Sequence, residues 1–563
     1  PIEPARMFGR TVLQWDKEDC AWMGLVKFDL LGLGMLSALS ISFDLISQHC
    51  GRFWTLASIP RNEPGVYDML CRGDSIGVFQ VESRAQIGAL PRLKPRCFYD
   101  LAVEIGLIRP GPVQGGAVHP YIRRRTGVEP VTYPHPLLEP VLERTLGIPL
   151  FQEQLMQMAT TVGNCTAADA DLLRRAMGSK RGVERIDSLR TKLFEGMAAN
   201  GIDDDTAQGI YARIESFANF GFAESHALSF AGLVYTSAWI KLHYPAVFLA
   251  ALLRSQPMGF YSSATLVADA RRHGVVTRRP DVARSSVGAD LELLDACCEE
   301  LGSEELETGI DECLHDHDES EIGAFDPNRD DGDHRRDTHF AVRLGLSDVS
   351  GINIETATRI VEERERESFA SLDDLARRVD LSGEEVEALA LAGAFDDLVG
   401  SRRGALWQIG QINGVGPGQL DVQVVTQPPL LPEPTQMELL GDDLRATGIS
   451  TADHPVRQVR DALNRRGVVQ VDRLDGVETR RRIEVAGVVT HRQRPGTAGG
   501  VTFLNLEDET GLLNVIVTPG AWRHYRRVAR TSRALVVRGI LERGDEGVMS
   551  LQADRLEALD LSV

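Results

Sequence analysis

Hydrophobic residues along this chain follow a helical period over most of its length and alternate with polar residues only near its end. Residues 1–40 have the pattern of a strand and a turn, and residues 41–289 that of successive helices interrupted by Pro- and Gly-rich stops. Short helices return at 339–409. Five alternating runs with one intervening helical sequence, GAWRHYRRVAR, fill 480–563 and fit a small OB-type barrel. The pattern predicts a multidomain α+β protein, mostly helical and ending in a β-barrel.

The stretch LVKFDLLGLG at residues 25–34 has the composition of a short buried strand that ends at glycines. It carries two charges, Lys27 and Asp29, and a carboxylate in a buried strand is costly unless a cation meets it. A structural ion pair at a strand end and a catalytic carboxylate would both meet that requirement. These ten residues alone leave both alternatives open.

The formal charge of −20 is unevenly distributed along the chain. Residues 290–337 carry −16 of it and few large apolar side chains, so we predict a disordered acidic insert at 290–338 that contributes little to a core. The remainder is close to neutral, and its charge does not exclude nucleic acid as a partner. No apolar run reaches the roughly 18 residues of a membrane helix, and eight cysteines without a CxxC pair suit a reducing cytoplasm.

Two adjacent arginines, Arg174 and Arg175, stand in the helical sequence ADADLLRRAMGSKR. Adjacent helical residues point about 100° apart, so we expect the pair not simply to share one acid. Two such guanidinium groups can flank an extended anion such as a triphosphate. The alternative is an ordinary solvated basic face.

The sequence FANFGFAESHALSF crowds four phenylalanines around a glycine and His226. An aromatic–glycine–aromatic sequence with polar neighbours can stack a base and bind a phosphate. The alternative is an aromatic core with a hydrogen-bonded histidine.

Two helical hairpins are predicted from SDVSGINIETATRIVEERE and LDLSGEEVEALALAGAF. Backbone amides at such turns can hold a duplex phosphate without reading sequence. Asn353 stands where the phosphate-binding type usually has a second glycine, which weakens the first copy. The candidate DNA-binding positions are Gly351, Ile352, Asn353 and Gly383.

The chain contains, in order, LVKFDLLGL, GVFQVESR, LIRPGP, FQEQLMQMA, LLRRAMGSK, GFAESHA and LAGAFD. In this order the motifs resemble the C-family bacterial DNA polymerases, that is, the DNA polymerase III alpha subunit and its relatives. The resemblance covers nearly the whole chain except the acidic segment. WDKEDCAWMGLVKFDLLGLGML, GGAVHPYIRRR, ESHALSFAGLVYTSAWIK and SQPMGFY resemble the error-prone branch, and Ala223 and Glu224 stand where replicative members usually have Asn-Lys.

The resemblance implies seven segments: the C-terminal part of a polymerase palm, fingers, the acidic insert, tandem helix-hairpin-helix motifs, a linker, a connecting helical segment and an OB domain. We place them at 1–40, 41–289, 290–338, 339–409, 410–435, 436–479 and 480–563. Family members carry two further palm carboxylates upstream. Since this chain begins at Pro1, we expect it to lack N-terminal sequence and to be inactive alone.

The resemblance also implies roles for individual residues. Asp29 matches the third catalytic carboxylate, a metal ligand that would share two Mg²⁺ ions with the upstream aspartates. Phe220 matches the position that lies against the nascent base pair. The positions that match nucleotide contacts are Lys27, Arg174, Arg175, Phe220, Ser225 and His226.

The function that this resemblance implies is template-directed DNA synthesis by an error-prone polymerase that acts in DNA damage and translesion synthesis. The expected ligands are primer–template DNA and deoxynucleoside triphosphates, with accessory lesion-bypass proteins as partners, no membrane, and a bacterial cytoplasmic location. Sliding-clamp contact is expected to be indirect. The peptide QMELL at 436–440 has the pattern of a clamp-binding peptide, but it resembles a structural segment of the family whose leucines are buried. The alternatives are a replicative alpha subunit and a non-catalytic DNA-binding scaffold.

A substitution at the predicted metal ligand gives a direct test. In the complete polymerase, Asp29→Asn should abolish nucleotide incorporation and leave DNA binding nearly unchanged, because a lost metal-ligand charge typically costs several kcal/mol of transition-state stabilisation. Primer extension measures the first effect and a DNA-binding titration the second. Extension within about tenfold of the unmodified polymerase would contradict the assignment.

Overall fold

The structure of the protein is a computed structural model. It describes residues 2–6, 9–15, 17–25, 34–108, 114–176, 182–216, 222–258, 261–294, 316–320, 322–326, 331–412, 431–451, 453–494, 498–544 and 549–561.

A short hairpin and one helical turn open the chain. Strand β1 (Ile2–Pro4) pairs antiparallel with β2 (Thr11–Leu13), and α1 (Lys17–Trp22) follows. Ile2, Leu13 and Trp22 are exposed there. The large core of the protein begins only with the next helix.

Helices α2–α15 form the first and largest body. They are α2 (Gly34–Cys50), α3 (Pro64–Cys71), α4 (Arg84–Leu93), α5 (Phe98–Leu107), α6 (Gln114–Arg125), α7 (Glu139–Leu142), α8 (Gln152–Gly163), α9 (Ala167–Ala176), α10 (Gly182–Asp187), α11 (Arg190–Ala199), α12 (Asp204–Ser216), α13 (Glu224–His243), α14 (Pro245–Arg254) and α15 (Ser263–Arg272).

This body has two hydrophobic cores. One surrounds α13 and α14, which are largely apolar and buried, and includes Trp239 and Phe151. The other joins α8 through α12 and includes Leu155, Leu173 and Leu193. A helix that is apolar on most of its surface must be covered on all sides, and this explains why α13 and α14 lie at the centre.

A three-stranded sheet follows the helical body and leads into the next domain. Its order is β3 (Val276–Arg278), β5 (Phe340–Arg343) and β4 (Asp290–Leu293), with β5 parallel to β3 and antiparallel to β4. Helices α16 (Ile354–Arg366), α17 (Leu372–Val379), α18 (Gly383–Leu391), α19 (Asp396–Val399) and α20 (Arg402–Ile412) then enclose a separate core.

The C-terminal domain is a closed five-stranded barrel. Helices α21 (Gln436–Ala446), α22 (Pro455–Gln458) and α23 (Arg460–Arg466) lead to it. Its strands are β6 (Arg482–Gln493), β7 (Thr502–Glu507), β8 (Leu512–Val517), β9 (Ala534–Arg543) and β10 (Met549–Ala558), in the order β10-β8-β7-β6-β9. Helices α24 (Pro519–His524) and α25 (Arg526–Thr531) lie between β8 and β9, where the sequence predicted one helix. The predicted fold class is confirmed.

The acidic segment is packed at both of its ends, so the prediction that all of 290–338 is a disordered insert is wrong. Asp290 begins β4 and accepts a hydrogen bond from Oγ of Ser286 at 2.7 Å. At the other end the fully buried Asp337 accepts from the backbone amides of Ala246 and Val247 at 2.7 and 3.2 Å. The composition concealed this role, because a carboxylate that caps a helix N-terminus looks like any other acid in the sequence.

Further contacts tie the same segment to the helical body. The backbone of Arg61 donates to Oδ1 of Asp316 at 2.8 Å and accepts from the amide of His317 at 2.9 Å. Arg72 pairs with Asp331. Residues 295–315, 321 and 327–330 lie outside the described residues, and these contacts show that the described parts of the segment contribute to the fold.

Helix length also bears on membrane insertion. Among the residues that the structure describes, no helix combines the length and the apolar character that a membrane span requires.

The cap at Asp337 leads to a stability prediction. Asp337→Ala should lower the free energy of unfolding of the helical body by about 2–4 kcal/mol, because it leaves two buried amides and Nε of Arg335 without their carboxylate acceptor. Hydrogen–deuterium exchange at the start of α14 and thermal melting measure the loss. The matched control is Asp333→Ala, which removes an exposed acid of the same segment and should change stability by less than about 0.5 kcal/mol. Equal exchange in both variants would show that Asp337 is not a working cap.

Candidate functional site

Three of the predicted site residues fall outside the part of the chain that the structure describes. They are Lys27, Asp29 and Phe220. Their predicted roles in metal, triphosphate and base-pair contact stay predictions.

The adjacent arginines lie in the last turn of α9, and both contact one acid. Arg174 donates from Nε and Nη2 to Oδ1 of Asp171 at 3.0 and 2.8 Å, and Nη2 of Arg175 lies 2.7 Å from Oδ2. The expectation that neighbouring arginines do not share one acid is therefore wrong. Residues three and four positions further along a helix both lie over the same side chain, so one carboxylate can accept from both.

The charges of this site are exposed. The side chains of Arg174, Arg175 and Asp171 are 48%, 68% and 39% exposed. Hydrogen bonding from Arg174 lowers the pKa of the Asp171 carboxyl, so this acid is ionised at neutral pH. The three side chains together present a net positive charge to solvent.

The beginning of α13 carries Ser225 and His226 and is fixed to the beginning of α8. The amide of Glu224 donates to Oε2 of Glu153 at 2.8 Å, and the amide of Gln152 donates to the carbonyl of Phe222 at 2.9 Å. Two elements distant in sequence thus meet end to end. Ser225, in the first turn of α13, is exposed.

The ring of His226 belongs to a row of aromatic side chains. Its centroid lies 5.2 Å from that of Phe222 and 4.2 Å from that of Phe230, and Phe230 packs edge-on against Phe79 at 5.0 Å. His226 is half-buried rather than enclosed. This row connects the predicted nucleotide site to the loop that contains GVFQVESR.

Helix α8 is the common neighbour of both predicted contacts. Helix α9 follows α8 after the short turn at 164–166, and the two helices contribute Leu155 and Leu173 to the same hydrophobic core. The first turn of α8 is bonded to the beginning of α13. Helix α8 is therefore a neighbour both of α9, which carries Arg174 and Arg175, and of the beginning of α13.

Two residues of the GVFQVESR loop were missed by the sequence analysis. Gln80 has a φ of +62°, a left-handed conformation that is unusual for a residue with a side chain. Burial raises the pKa of Glu82 to about 7. The motif itself was the available signal, but no pattern of residue types indicated strain or a shifted carboxyl.

The first hairpin places its candidate residues in different surroundings. Gly351 has a φ of +96°, which favours glycine, and is exposed. Asn353 caps α16, with Oδ1 accepting from the amide of Thr356 at 2.7 Å. Ile352 is 6% exposed and its amide donates to the carbonyl of Val349, so it cannot offer that amide to a phosphate, and the prediction is corrected there. The arm before this turn is a single 3₁₀ turn, Leu346–Asp348, rather than a full helix.

The second hairpin lies beside the first. Gly383 begins α18, capped by Ser382, and Oγ1 of Thr356 in α16 donates to Oε1 of Glu385 in α18 at 2.8 Å. The two helix N-termini are therefore held side by side. The first turns of these helices carry two exposed acids, Glu355 and Glu384, whose negative charges would repel a phosphate there.

The barrel contacts the helical body and carries the half-buried aromatic side chain of Phe503 on its sheet. Arg272 of α15 lies 3.7 Å from Glu507 of β7, and the ring of Tyr261 lies 5.4 Å from that of His491. On β7, Phe503 points away from the barrel core and is half-buried, while its neighbour Leu504 points inwards. Strands two and three of OB folds are the usual nucleic-acid face, and β7 and β8 occupy those positions.

The candidate clamp-binding peptide QMELL is helical in the structure. It forms the beginning of α21, and Leu440 is 2% exposed. An extended peptide at this position would have to leave that helix and its core contact.

Two clusters in the described part of the chain bring ligand-type side chains together: Glu63, His243 and His334; and Asp74, Asp269 and His273. Burial alone would raise the pKa of Glu63, but hydrogen bonds from the two imidazoles lower it to about 2. The second cluster surrounds the ammonium of Lys241, which supplies the cation. Neither offers the oxygen-only set that Mg²⁺ prefers.

Three family models match separate parts of the chain. The bacterial DNA polymerase III alpha subunit finger domain matches residues 35–201, a helix-hairpin-helix motif matches 274–405, and an OB-fold nucleic acid binding domain matches 483–559. They follow one another in the order of the helical body, the hairpin region and the barrel described above.

Curated relatives match the chain from end to end. It is 51% identical to proteins named error-prone DNA polymerase from Mycolicibacterium paratuberculosis and Mycobacterium tuberculosis, over 566 residues and all of this chain, or 48% and 47% of those proteins. It is 49% identical to one of the same name from Corynebacterium glutamicum, again over all of this chain and 48% of the relative. The chain spans about half the length of the curated relatives it matches. The chain belongs to the C-family of bacterial DNA polymerases, which contains the DNA polymerase III alpha subunit, and it is similar over its whole length to members named error-prone DNA polymerase.

Proposed function

We propose that this chain supplies the nucleotide-binding fingers and the DNA-binding domains of an error-prone DNA polymerase that performs translesion synthesis. The reaction is template-directed transfer of a nucleotidyl group from a deoxynucleoside triphosphate to a primer 3′-hydroxyl. The observation that carries the proposal is the arrangement around α8, which shares a core with α9, the helix of the arginine pair, and is hydrogen-bonded to the first turn of α13.

The chemistry of these side chains suits a triphosphate. Two guanidinium groups offer paired donors to phosphate oxygens. Helix α13 is 20 residues long, and its first turn carries the exposed hydroxyl of Ser225 and the ring of His226, both of which can donate to phosphate oxygens. Phosphate charge would therefore meet donors from two helices held by the same neighbour.

Divalent metal ions belong to the same proposal. Asp29 would be one carboxylate ligand, and Lys27 would contact the triphosphate beside it. Two Mg²⁺ ions, when bound, would supply activation of the primer hydroxyl and neutralisation of the triphosphate.

The remaining domains would hold nucleic acid. The hairpins at Gly351 and Gly383 would lie against the duplex backbone, and the face of the barrel that carries Phe503 would meet single-stranded template. Accessory lesion-bypass proteins would recruit the polymerase in the bacterial cytoplasm, and clamp contact would be indirect because Leu440 is buried in the α21 helix.

Kinetics test the arginine pair. In the complete polymerase, Arg174→Ala and Arg175→Ala should each raise KM about tenfold or more for all four nucleotides alike, because phosphates carry no base identity. The matched control is Arg445→Ala on α21, which has the same Asp–Arg spacing of three residues with Asp442 and should leave KM unchanged. An effect on one nucleotide only, or none, would contradict triphosphate binding.

Binding of single-stranded DNA tests the barrel. Phe503→Ala should weaken the affinity of the chain for an oligonucleotide by about 1–3 kcal/mol, since a stacked base loses its aromatic partner. Fluorescence anisotropy at several salt concentrations measures the affinity, which should fall as salt rises. Phe503→Tyr keeps the ring and should retain binding. If alanine and tyrosine variants bind equally well, Phe503 does not stack a base.

A further inference from the structure

The carboxylate of Asp171 contacts the two guanidinium groups that form the predicted phosphate site. Each of its carboxylate oxygens faces a different guanidinium, Oδ1 that of Arg174 and Oδ2 that of Arg175. One turn of helix separates this acid from both arginines. The carboxylate therefore sits where a phosphate bound by both groups would place its oxygens.

A second acid on the same helix has a different environment. Asp169 accepts from the amide and hydroxyl of Thr166 at 2.7 and 2.6 Å, and it pairs with Lys192 of α11. Its contacts cap α9 and fasten it to a neighbouring helix. Asp171 has no such capping bond among the contacts of the described residues, and its bonds run to the two arginines of its own helix.

An acid in this position has two opposing effects on an incoming anion. It holds two long, exposed side chains together, so less conformational entropy is lost when a ligand orders them. It also cancels one of the two positive charges and competes for their donors. Exposed ion pairs of this kind contribute little to stability, so a multiply charged ligand can displace the carboxylate.

We propose that Asp171 is the resident counter-ion of the triphosphate site: it neutralises Arg174 and Arg175 in the free protein, and the phosphates of the nucleotide displace it. Asp171 is thus a residue that sets nucleotide affinity through the arginines. The inference rests on the proposed function, because it takes the arginine pair as the phosphate contact. Its distinctive consequence is that removing this acid strengthens binding.

Titrations of the full 563-residue chain with sodium tripolyphosphate and with dATP test the proposal, with the same salt throughout. Asp171→Asn should lower both dissociation constants by about two- to fivefold, the range set by an exposed ion pair. Asp171→Glu, which keeps the charge, should bind like the unmodified chain. Asp169→Asn removes an identical charge two residues away and keeps a capping side chain, so it should leave both constants unchanged. Thermal melting of each variant verifies that the fold is intact.

The arginine variants separate the two hypotheses. If Arg174→Ala and Arg175→Ala weaken binding but Asp171→Asn leaves it unchanged or weakens it, the counter-ion role is overturned and the phosphate site stands. If neither arginine variant weakens binding, the phosphate site fails and the counter-ion role fails with it. Equal tightening by Asp169→Asn and Asp171→Asn would show a general charge effect and would also overturn the proposal.

Discussion

The buried ammonium of Lys241 sets the position of the longest helix in the helical body, and much of the structure depends on that helix. Lys241 is 3% exposed, and its Nζ lies 2.6 Å from Asp74, 2.8 Å from Asp269 and 3.1 Å from the carbonyl of Ile76. These three acceptors match the three donors of an ammonium group. A buried charge without partners would cost several kcal/mol, so α13 has to lie where the loop after α3 meets α15.

This arrangement extends in both directions along the chain. Because a 20-residue helix is stiff, fixing Lys241 near its end also fixes Ser225 and His226 near its beginning. At that beginning, the carboxylate of Glu153 accepts a hydrogen bond from the first turn of the helix. In the other direction, α15 contributes both Asp269, which holds Lys241, and Arg272, which pairs with Glu507 of the barrel. One ionic network thus relates the predicted nucleotide end of α13 to the C-terminal barrel.

The acidic segment shows that average composition does not reveal which charged side chains have specific partners. A run with a charge of −16 and little apolar volume has the average properties of a disordered chain. A few of its residues nevertheless have specific partners: Asp337 caps α14, and His334 and Asp331 lie against Glu63 and Arg72. Average charge predicts solvation of a segment, whereas a single buried carboxylate depends on which donors the fold brings to it.

The sequence by itself determined the fold class, the closed barrel and the family, because helical and strand periodicity, turn residues and ordered motifs are local properties of the chain. It also proposed Arg174, Arg175, Ser225 and His226, whose roles stay predictions. Only the tertiary structure decided that α9 and the beginning of α13 share α8 as a neighbour, that both arginines contact Asp171, that Ile352 is buried and that Gln80 has a left-handed backbone conformation. Such facts depend on which distant elements pack together and on where each backbone donor or buried charge finds its partner, and spacing along a chain does not encode that.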